Sequence, residues 1–178
     1  GEEKRFKLVT DYLFSEKGNV LLIETSKKNG DAASKATVSW MNLGTAKMET
    51  VLKGFNDAKS FTFDETGSQL AFVAERDSAV KALRKYYKLW YFTPGMDSAI
   101  MRVDRNTAGV TKGLTVNDFA NIQFSKDGNK LFFQLAQIRP VKDTTLVDFE
   151  TARMDIWHYN DDYIQPQQLK QLEQELRR

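Results

Sequence analysis

FSKDGN, at residues 124–129, separates two strand-like segments of the chain. Phe124 is the last apolar residue of the first segment, and the apolar residues of 131–135 form the second. The polar side chains between them predict a turn, and Gly128 supplies the positive φ that a short hairpin loop needs. The stretch therefore predicts a β-hairpin, with Phe124 at the strand end packed beneath its turn.

The same pattern occurs twice more, as FSEKGN at residues 14–19 and FDETGS at residues 63–68. The phenylalanines of the three copies lie 49 and 61 residues apart along the chain. Each copy is followed by an apolar run that is typical of a strand. The copies share a phenylalanine and a glycine: Phe14 and Gly18, Phe63 and Gly67, Phe124 and Gly128. Three hairpins of the same design indicate an internal repeat.

Tryptophan gives the repeat a second landmark. The three tryptophans follow the respective phenylalanines by 26, 27 and 33 residues: Trp40, Trp90 and Trp157. Each lies in a short segment of β-branched and aromatic residues, which predicts another strand. We interpret the match of two landmarks over three copies as a true repeat. The alternative is an unrelated β protein in which these aromatic residues are simply core positions.

A repeat of roughly 40–60 residues with four short antiparallel strands is typical of a β-propeller blade. We therefore predict an all-β fold in which residues 1–178 form a single partial propeller domain. Its three blades are expected near residues 6–54, 58–115 and 119–160. Three blades do not close a ring, since propellers have about four to eight. The sequence thus indicates part of a propeller.

The C-terminal end is predicted to form a short helix near residues 166–176. Pro166 suits the first turn of a helix. Three leucines recur at the spacing of one helix face: Leu169, Leu172 and Leu176. One interpretation packs this stripe against the propeller itself. In the other it shields or pairs an unfinished strand edge, which invites association with another chain; two three-blade copies would then join edge to edge or close a six-blade ring.

Composition excludes several classes of function. The chain is 41% hydrophobic and 28% charged, which is typical of a globular protein. Its net charge of +2 argues against a nucleic-acid binder that uses its whole surface. The sequence has no cysteine, and its longest aliphatic run, residues 20–23, is far shorter than the roughly 20 residues of a membrane span. Gly1 and a polar start predict a piece of a longer chain, with any targeting signal removed.

Three features are candidates for chemistry, and each has a plainer structural interpretation. His158 is the single histidine and cannot form a triad or a metal shell alone, so we expect a partly exposed structural side chain. Asp161 and Asp162 offer oxygen ligands for Ca²⁺ but lack EF-hand spacing, so we expect a turn or helix cap. Residues 76–88 carry five cationic residues against one acidic residue, with aromatic residues among them. That segment suits nucleic acid or an anionic ligand, but we expect solvated charges between two strands.

Residues 155–168, DIWHYNDDYIQPQQ, carry a more specific resemblance than the turns do. They resemble a stretch in the N-terminal propellers of secreted bacterial serine peptidases of the prolyl oligopeptidase family, and the turns resemble the propeller repeats of that family and of the Tol system. The resemblance implies a parent in which the propeller caps an α/β-hydrolase domain, admitting peptides and excluding folded proteins. The sequence contains no Gly-x-Ser-x-Gly nucleophile elbow. Dipeptidyl peptidases of the family hold a substrate amine with two glutamates. These glutamates have no match here, because the corresponding stretch, residues 155–162, has one extra residue and ends in two aspartates.

The resemblance implies a non-catalytic chain: the propeller portion of a secreted or periplasmic serine peptidase, gating peptide access to a hydrolase domain that the sequence lacks. We assign no catalytic residue, cofactor or metal ligand. The expected partners are the remainder of the propeller, the hydrolase domain, the peptide substrate and a second copy through an open strand edge; neither nucleic acid nor a membrane span is expected. The alternative is a stand-alone propeller that binds a protein or envelope ligand. An independent enzyme using carboxylates on sugars has the least support.

Overall fold

The structure, a computed structural model, describes residues 3–31, 33–79 and 81–141, together with residues 159, 160, 164 and 167. Gly1–Val141 forms one compact unit and Lys142–Arg178 a second. Every strand given below belongs to the first unit. Trp157, His158, the aspartates 161–162 and, apart from Gln167, the helix predicted near residues 166–176 lie outside the described residues.

The first four strands form one antiparallel sheet in which each strand pairs with the next along the chain. Their bounds are β1 Val9–Phe14, β2 Val20–Thr25, β3 Thr37–Asn42 and β4 Met48–Lys53. β2 and β3 carry apolar residues on both faces of the sheet, and most of their residues are buried. Among the described strands, β1 lies at the edge of its sheet, and all six of its residues are exposed.

The next four strands repeat this arrangement as a second antiparallel sheet in chain order. Their bounds are β5 Asp57–Phe63, β6 Leu70–Glu75, β7 Lys88–Phe92 and β8 Ile100–Val103. All six residues of β6 are buried, because both faces of this strand are covered. An apolar run without alternation is what such a doubly covered strand requires.

A third region follows with shorter strands: β9 Leu114–Val116, β10 Gln123–Phe124, β11 Leu131–Phe132 and β12 Leu135–Gln137. β10 pairs with β11, and β9 pairs with β12. Ten residues separate Leu114 from Phe124, whereas six separate their partners Gln137 and Leu131. The excess of four residues loops out between β9 and β10, where the second sheet has only a one-residue bulge at the corresponding place.

The prediction of an all-β fold with antiparallel four-stranded sheets is confirmed for the first two repeats. The third repeat was expected to be a four-stranded blade, and the described residues instead show two two-stranded sheets there. Segments expected to complete that blade, including the one around Trp157, lie outside the described residues. No closed ring of sheets is present among residues 3–141 as described.

The three predicted hairpin turns are confirmed, and they share one hydrogen-bond pattern. The amide of the residue after the phenylalanine donates to the carbonyl oxygen five residues on: Ser15 to Val20 at 3.0 Å, Asp64 to Gln69 at 3.2 Å, and Ser125 to Lys130 at 2.8 Å. The glycine amide donates back to the carbonyl oxygen of that first residue in every copy. Their φ angles are closely similar, at 65° for Gly18, 69° for Gly67 and 71° for Gly128.

A hydrogen bond across the turn explains why the residue after each phenylalanine is serine or aspartate. Its side-chain oxygen accepts a hydrogen bond from the backbone amide across the turn: Ser15 Oγ from Val20 at 3.1 Å, Asp64 Oδ1 from Gln69 at 2.7 Å, and Ser125 Oγ from Lys130 at 2.8 Å. A short oxygen-bearing side chain can reach this amide from its own turn. The turn is therefore specified locally, by the six residues of each copy.

The two clusters of the core lie on opposite faces of the second sheet. Cluster one joins residues of the first sheet, such as Leu22 and Trp40, to Leu70, Phe72 and Phe92 of the second. Cluster two joins the other face of the second sheet to the third region: Ala71, Val73, Leu89, Val116 and Ile122, with Phe124, Leu131 and Leu135 packed against them. The first sheet, the second sheet and the third region thus stack face to face in chain order.

Candidate functional site

Two of the three hairpin phenylalanines contact rings of the preceding sheet, whereas the ring centroid of Phe14 lies 6.1 Å from that of Tyr12 on its own strand. Phe63 meets Trp40 of the first sheet edge to face, with ring centroids 5.2 Å apart. Phe124 meets Tyr91 of the second sheet, with centroids 6.5 Å apart. The side chain of Phe14 is 51% exposed. The prediction that each phenylalanine packs beneath its own turn is therefore wrong for Phe14, which has no preceding sheet among the described residues.

Trp40 and Trp90 lie on the third strands of their sheets, as predicted, but they are not equivalent. On the third strands, Met41 is aligned with Phe14 and Phe92 is aligned with Phe63. Trp40 lies one residue from Met41, whereas Trp90 lies two residues from Phe92. A shift of one residue turns a side chain to the other face of the sheet. Both indoles consequently enter cluster one from opposing sheets, and the structural counterpart of Trp40 is Tyr91.

A charged and aromatic network joins the second sheet to the third region around Lys59. The Nζ atom of Lys59 lies 2.7 Å from Oδ2 of Asp118 and 4.0 Å from Oδ2 of Asp57. The same ammonium lies over two rings, 4.6 Å from the centroid of Tyr87 and 4.7 Å from that of Phe119. A half-buried cation held by two carboxylates and two ring faces ties these elements together.

Tyr87 completes this network through a short hydrogen bond from its hydroxyl to Asp57. Burial is the largest cause that raises the pKa of Tyr87, and the hydrogen bond to Asp57 and the negative charges of Asp57, Asp118 and Glu75 raise it further. The hydroxyl therefore stays protonated and acts as a donor. This hydrogen bond joins Tyr87, just before β7, to Asp57 at the start of β5.

The basic segment 76–88 forms the connection between β6 and β7, as expected, but its charges are not simply solvated. The guanidinium of Arg76 lies 5.7 Å from the ring centroid of Trp90. Nη1 of Arg84 donates to the hydroxyl of Tyr86 at 3.2 Å, and the guanidinium of Arg105 lies 4.1 Å from that ring's centroid. Contacts between cations and rings therefore join this connection to β7 and to the residue Arg105 after β8.

A cavity of about 230 Å³ lies between this connection, β9 and β12. Its lining includes Leu83–Tyr86, Thr115–Phe119 and Ala136–Val141. Two buried side-chain polar atoms lack a hydrogen-bond partner among the described residues, Nε of Arg84 and Oγ1 of Thr115. Both residues line this one cavity, and the two atoms themselves are closed to solvent. Because buried polar groups are nearly always paired, two such atoms in one place distinguish this cavity from the others.

Two buried carboxylates have structural roles. Burial works to raise the pKa of Glu75, but hydrogen bonds from Asn56, Ser78 and Asp77 outweigh it and lower that pKa. Asp64 follows the same logic: burial opposes ionisation, and donors in its own turn lower its pKa overall. Their acceptor capacity is used by these local donors, so neither offers a free carboxylate for catalysis.

The sequence analysis missed the residues that define the network and the cavity. Lys59, Asp118 and Thr115 belong to no motif, since two repeats must meet in space before they become neighbours. Arg84 was noted only within the basic segment. The one available signal was the aromatic residues among those cations, because Tyr86 and Tyr87 each carry one of the contacts described above.

No group of three or more histidine, aspartate and glutamate side chains within the described residues is arranged to hold a metal ion. In the part of the chain that the structure describes, no helix is both long enough and apolar enough to cross a membrane. Sequence comparison finds no protein-family model that matches the chain, and no curated protein matches it either.

Proposed function

We propose that this chain is a portion of a β-propeller and serves as a non-catalytic scaffold. The observation that carries the proposal is the stacking of consecutive antiparallel sheets through a repeated ring contact, Trp40 with Phe63 and then Tyr91 with Phe124. Blades of a propeller stack in chain order in this way. The closely similar geometry of the three hairpin turns supports the same interpretation.

The parent activity that we propose is that of a secreted or periplasmic serine peptidase of the prolyl oligopeptidase family. The support is the resemblance of residues 155–168 and of the turns to that family's propellers. In this role the chain forms part of a wall that peptides must pass and folded proteins cannot, on the way to a hydrolase domain outside this sequence. The sequence itself has no nucleophile elbow to supply the chemistry.

A fluorophosphonate probe, which reacts with activated serines, tests the peptidase proposal. The natural protein that carries this sequence and the 178-residue chain are labelled side by side. We expect the natural protein alone to be labelled. If neither is labelled, the peptidase proposal is wrong, and labelling of the 178-residue chain would place the chemistry within it.

The second candidate is a stand-alone propeller that binds a ligand without an attached peptidase. One observation favours it: the cavity beside Arg84 has cationic lining residues and unpaired buried polar atoms, which a purely structural wall does not need. Failure of fluorophosphonate labelling together with ligand binding at that cavity would favour this candidate.

We also propose that β1 mediates association with a second copy of the chain. β1 is an edge strand, and it exposes Val9, Tyr12, Leu13 and Phe14. An edge with free backbone groups and apolar side chains favours pairing with another strand. We expect light scattering to show a dimer that Leu13→Lys dissociates. A strict monomer at high concentration would contradict this.

A further inference from the structure

We propose that the cavity beside Arg84 binds a carboxylate attached directly to an apolar group, as found at the end of a peptide with an apolar last residue or in a small hydrophobic acid. The inference does not rest on the peptidase proposal, because it follows from the chemistry of the cavity alone. Three features of the cavity carry it: its charge, its unpaired donors and its apolar rim.

The charge of the cavity is positive. Arg84, Lys85 and Arg139 line it, and none of the three forms an ion pair with another described residue. Asp118 also lines it, but Lys59 pairs with that carboxylate at 2.7 Å. Three cations face one anion that is already neutralised, so an anionic ligand is favoured.

The unpaired donors suit a group with two oxygens. A guanidinium has five N–H donors, and Arg84 uses one of them for Tyr86. The edge formed by Nε and Nη2 is the one that binds both oxygens of a carboxylate in parallel. Thr115, whose Oγ1 is likewise unpaired and closed to solvent, lines the same cavity. Nε and Oγ1 are both closed to solvent, so under this inference the guanidinium of Arg84 and the side chain of Thr115 turn towards the cavity when the carboxylate binds.

The rim of the cavity selects what is attached to the carboxylate. Leu83 is 70% exposed and Phe119 is 80% exposed, and both line the cavity. Pro140 and Val141 add exposed apolar surface beside them. An inorganic phosphate would leave this surface in water, whereas an apolar group next to the carboxylate would cover it. The combination of cationic lining and apolar rim therefore favours an amphiphilic acid over a bare anion.

Isothermal titration calorimetry on the full chain tests the inference with four probes: acetyl-Ala-Ala-Phe with a free carboxylate, the same peptide as an amide, 4-phenylbutyrate and inorganic phosphate. We expect the free acid to bind about tenfold more tightly than the amide, because the amide cannot form the charged pair. Phosphate is expected to bind more weakly than the free acid. Phenylbutyrate distinguishes the two sources: parity with the peptide indicates a small acid, and weaker binding indicates a peptide end.

Variants assign the binding to the cavity. Arg84→Gln should weaken the free acid about tenfold, and Arg84→Lys should restore little, since lysine keeps the charge but not the planar fork. Arg5→Gln is the matched control, because Arg5 is exposed and does not line the cavity. Circular dichroism and melting checks that each variant is folded. Equal binding of acid and amide, unchanged binding to Arg84→Gln, or no binding at millimolar concentration would overturn the inference.

Discussion

The two faces of the second sheet do different things, although they belong to the same strands. The face towards the first sheet is aromatic and well packed: Phe72 lies 5.2 Å from Phe61 between ring centroids, and Trp40 contacts both Phe63 and Phe92. The face towards the third region carries smaller side chains, among them Ala71 and Val73, and borders the Lys59 network. The junction with the first sheet is packed with aromatic rings, whereas the junction with the third region contains a charged network.

The largest expected difference between the faces comes from two neighbouring residues of β6. Phe72 and Val73 are both fully buried and point to opposite faces. Phe72→Ala should lower the free energy of unfolding by about 3–5 kcal/mol, because a large ring is lost from a core that cannot collapse. Val73→Ala should lower it by about 2 kcal/mol. Urea unfolding measures both, and equal losses would contradict the distinction between the faces.

The turns and strands were predictable from the sequence, but the contacts between one repeat and the next were not. Each turn is specified by six consecutive residues, so the positions of Gly18, Gly67 and Gly128 were enough to predict it. The alignment of Trp90 with Trp40 was wrong by one residue, because matching letters does not reveal the register of a strand. The cavity and the Lys59 network arise only where distant segments meet.

The second largest effect is expected in the third region, where Thr115 of β9 lines the cavity. Thr115→Val removes the buried hydroxyl that has no partner among the described residues and replaces it with a methyl group of similar size. We expect the free energy of unfolding to rise by about 1–2 kcal/mol, because an unpaired buried polar group is destabilising by that amount. Thr111→Val is the control: Thr111 is exposed, and its replacement should change stability by less than about 0.5 kcal/mol. A loss of stability in Thr115→Val would mean that its hydroxyl is paired.

The repeated ring contact should be stronger in the well-packed junction. A double-mutant cycle on Trp40 and Phe63 is expected to give a coupling of about 1 kcal/mol, because their rings meet edge to face at 5.2 Å. The cycle on Tyr91 and Phe124, whose centroids lie 6.5 Å apart at a tilted angle, should give about 0.5 kcal/mol or less. A reversed order of the two couplings would show that ring geometry does not set the strength of the junctions.

The smallest effect distinguishes the turns themselves, since Asp64 caps the second turn where serine caps the other two. Burial opposes its ionisation, yet donors from Thr66, Gln69 and Ser68 leave the pKa of Asp64 lowered. A lowered folded pKa contributes stability that is present above the unfolded pKa of about 4 and is lost as pH falls through the folded pKa. Asp64→Ser should therefore flatten the loss of stability below about pH 4.

Urea midpoints between about pH 2.5 and 6 measure this for the natural chain and for Asp64→Ser. Some acid sensitivity should remain in the variant, because the pKa of Glu75 is lowered as well. Asp97→Ser, which removes an exposed carboxylate, should leave the pH profile as it is in the natural chain. If Asp64→Ser and the natural chain lose stability in parallel, the charge of Asp64 contributes nothing to the stability of its turn, and the three turns are then equivalent in this respect.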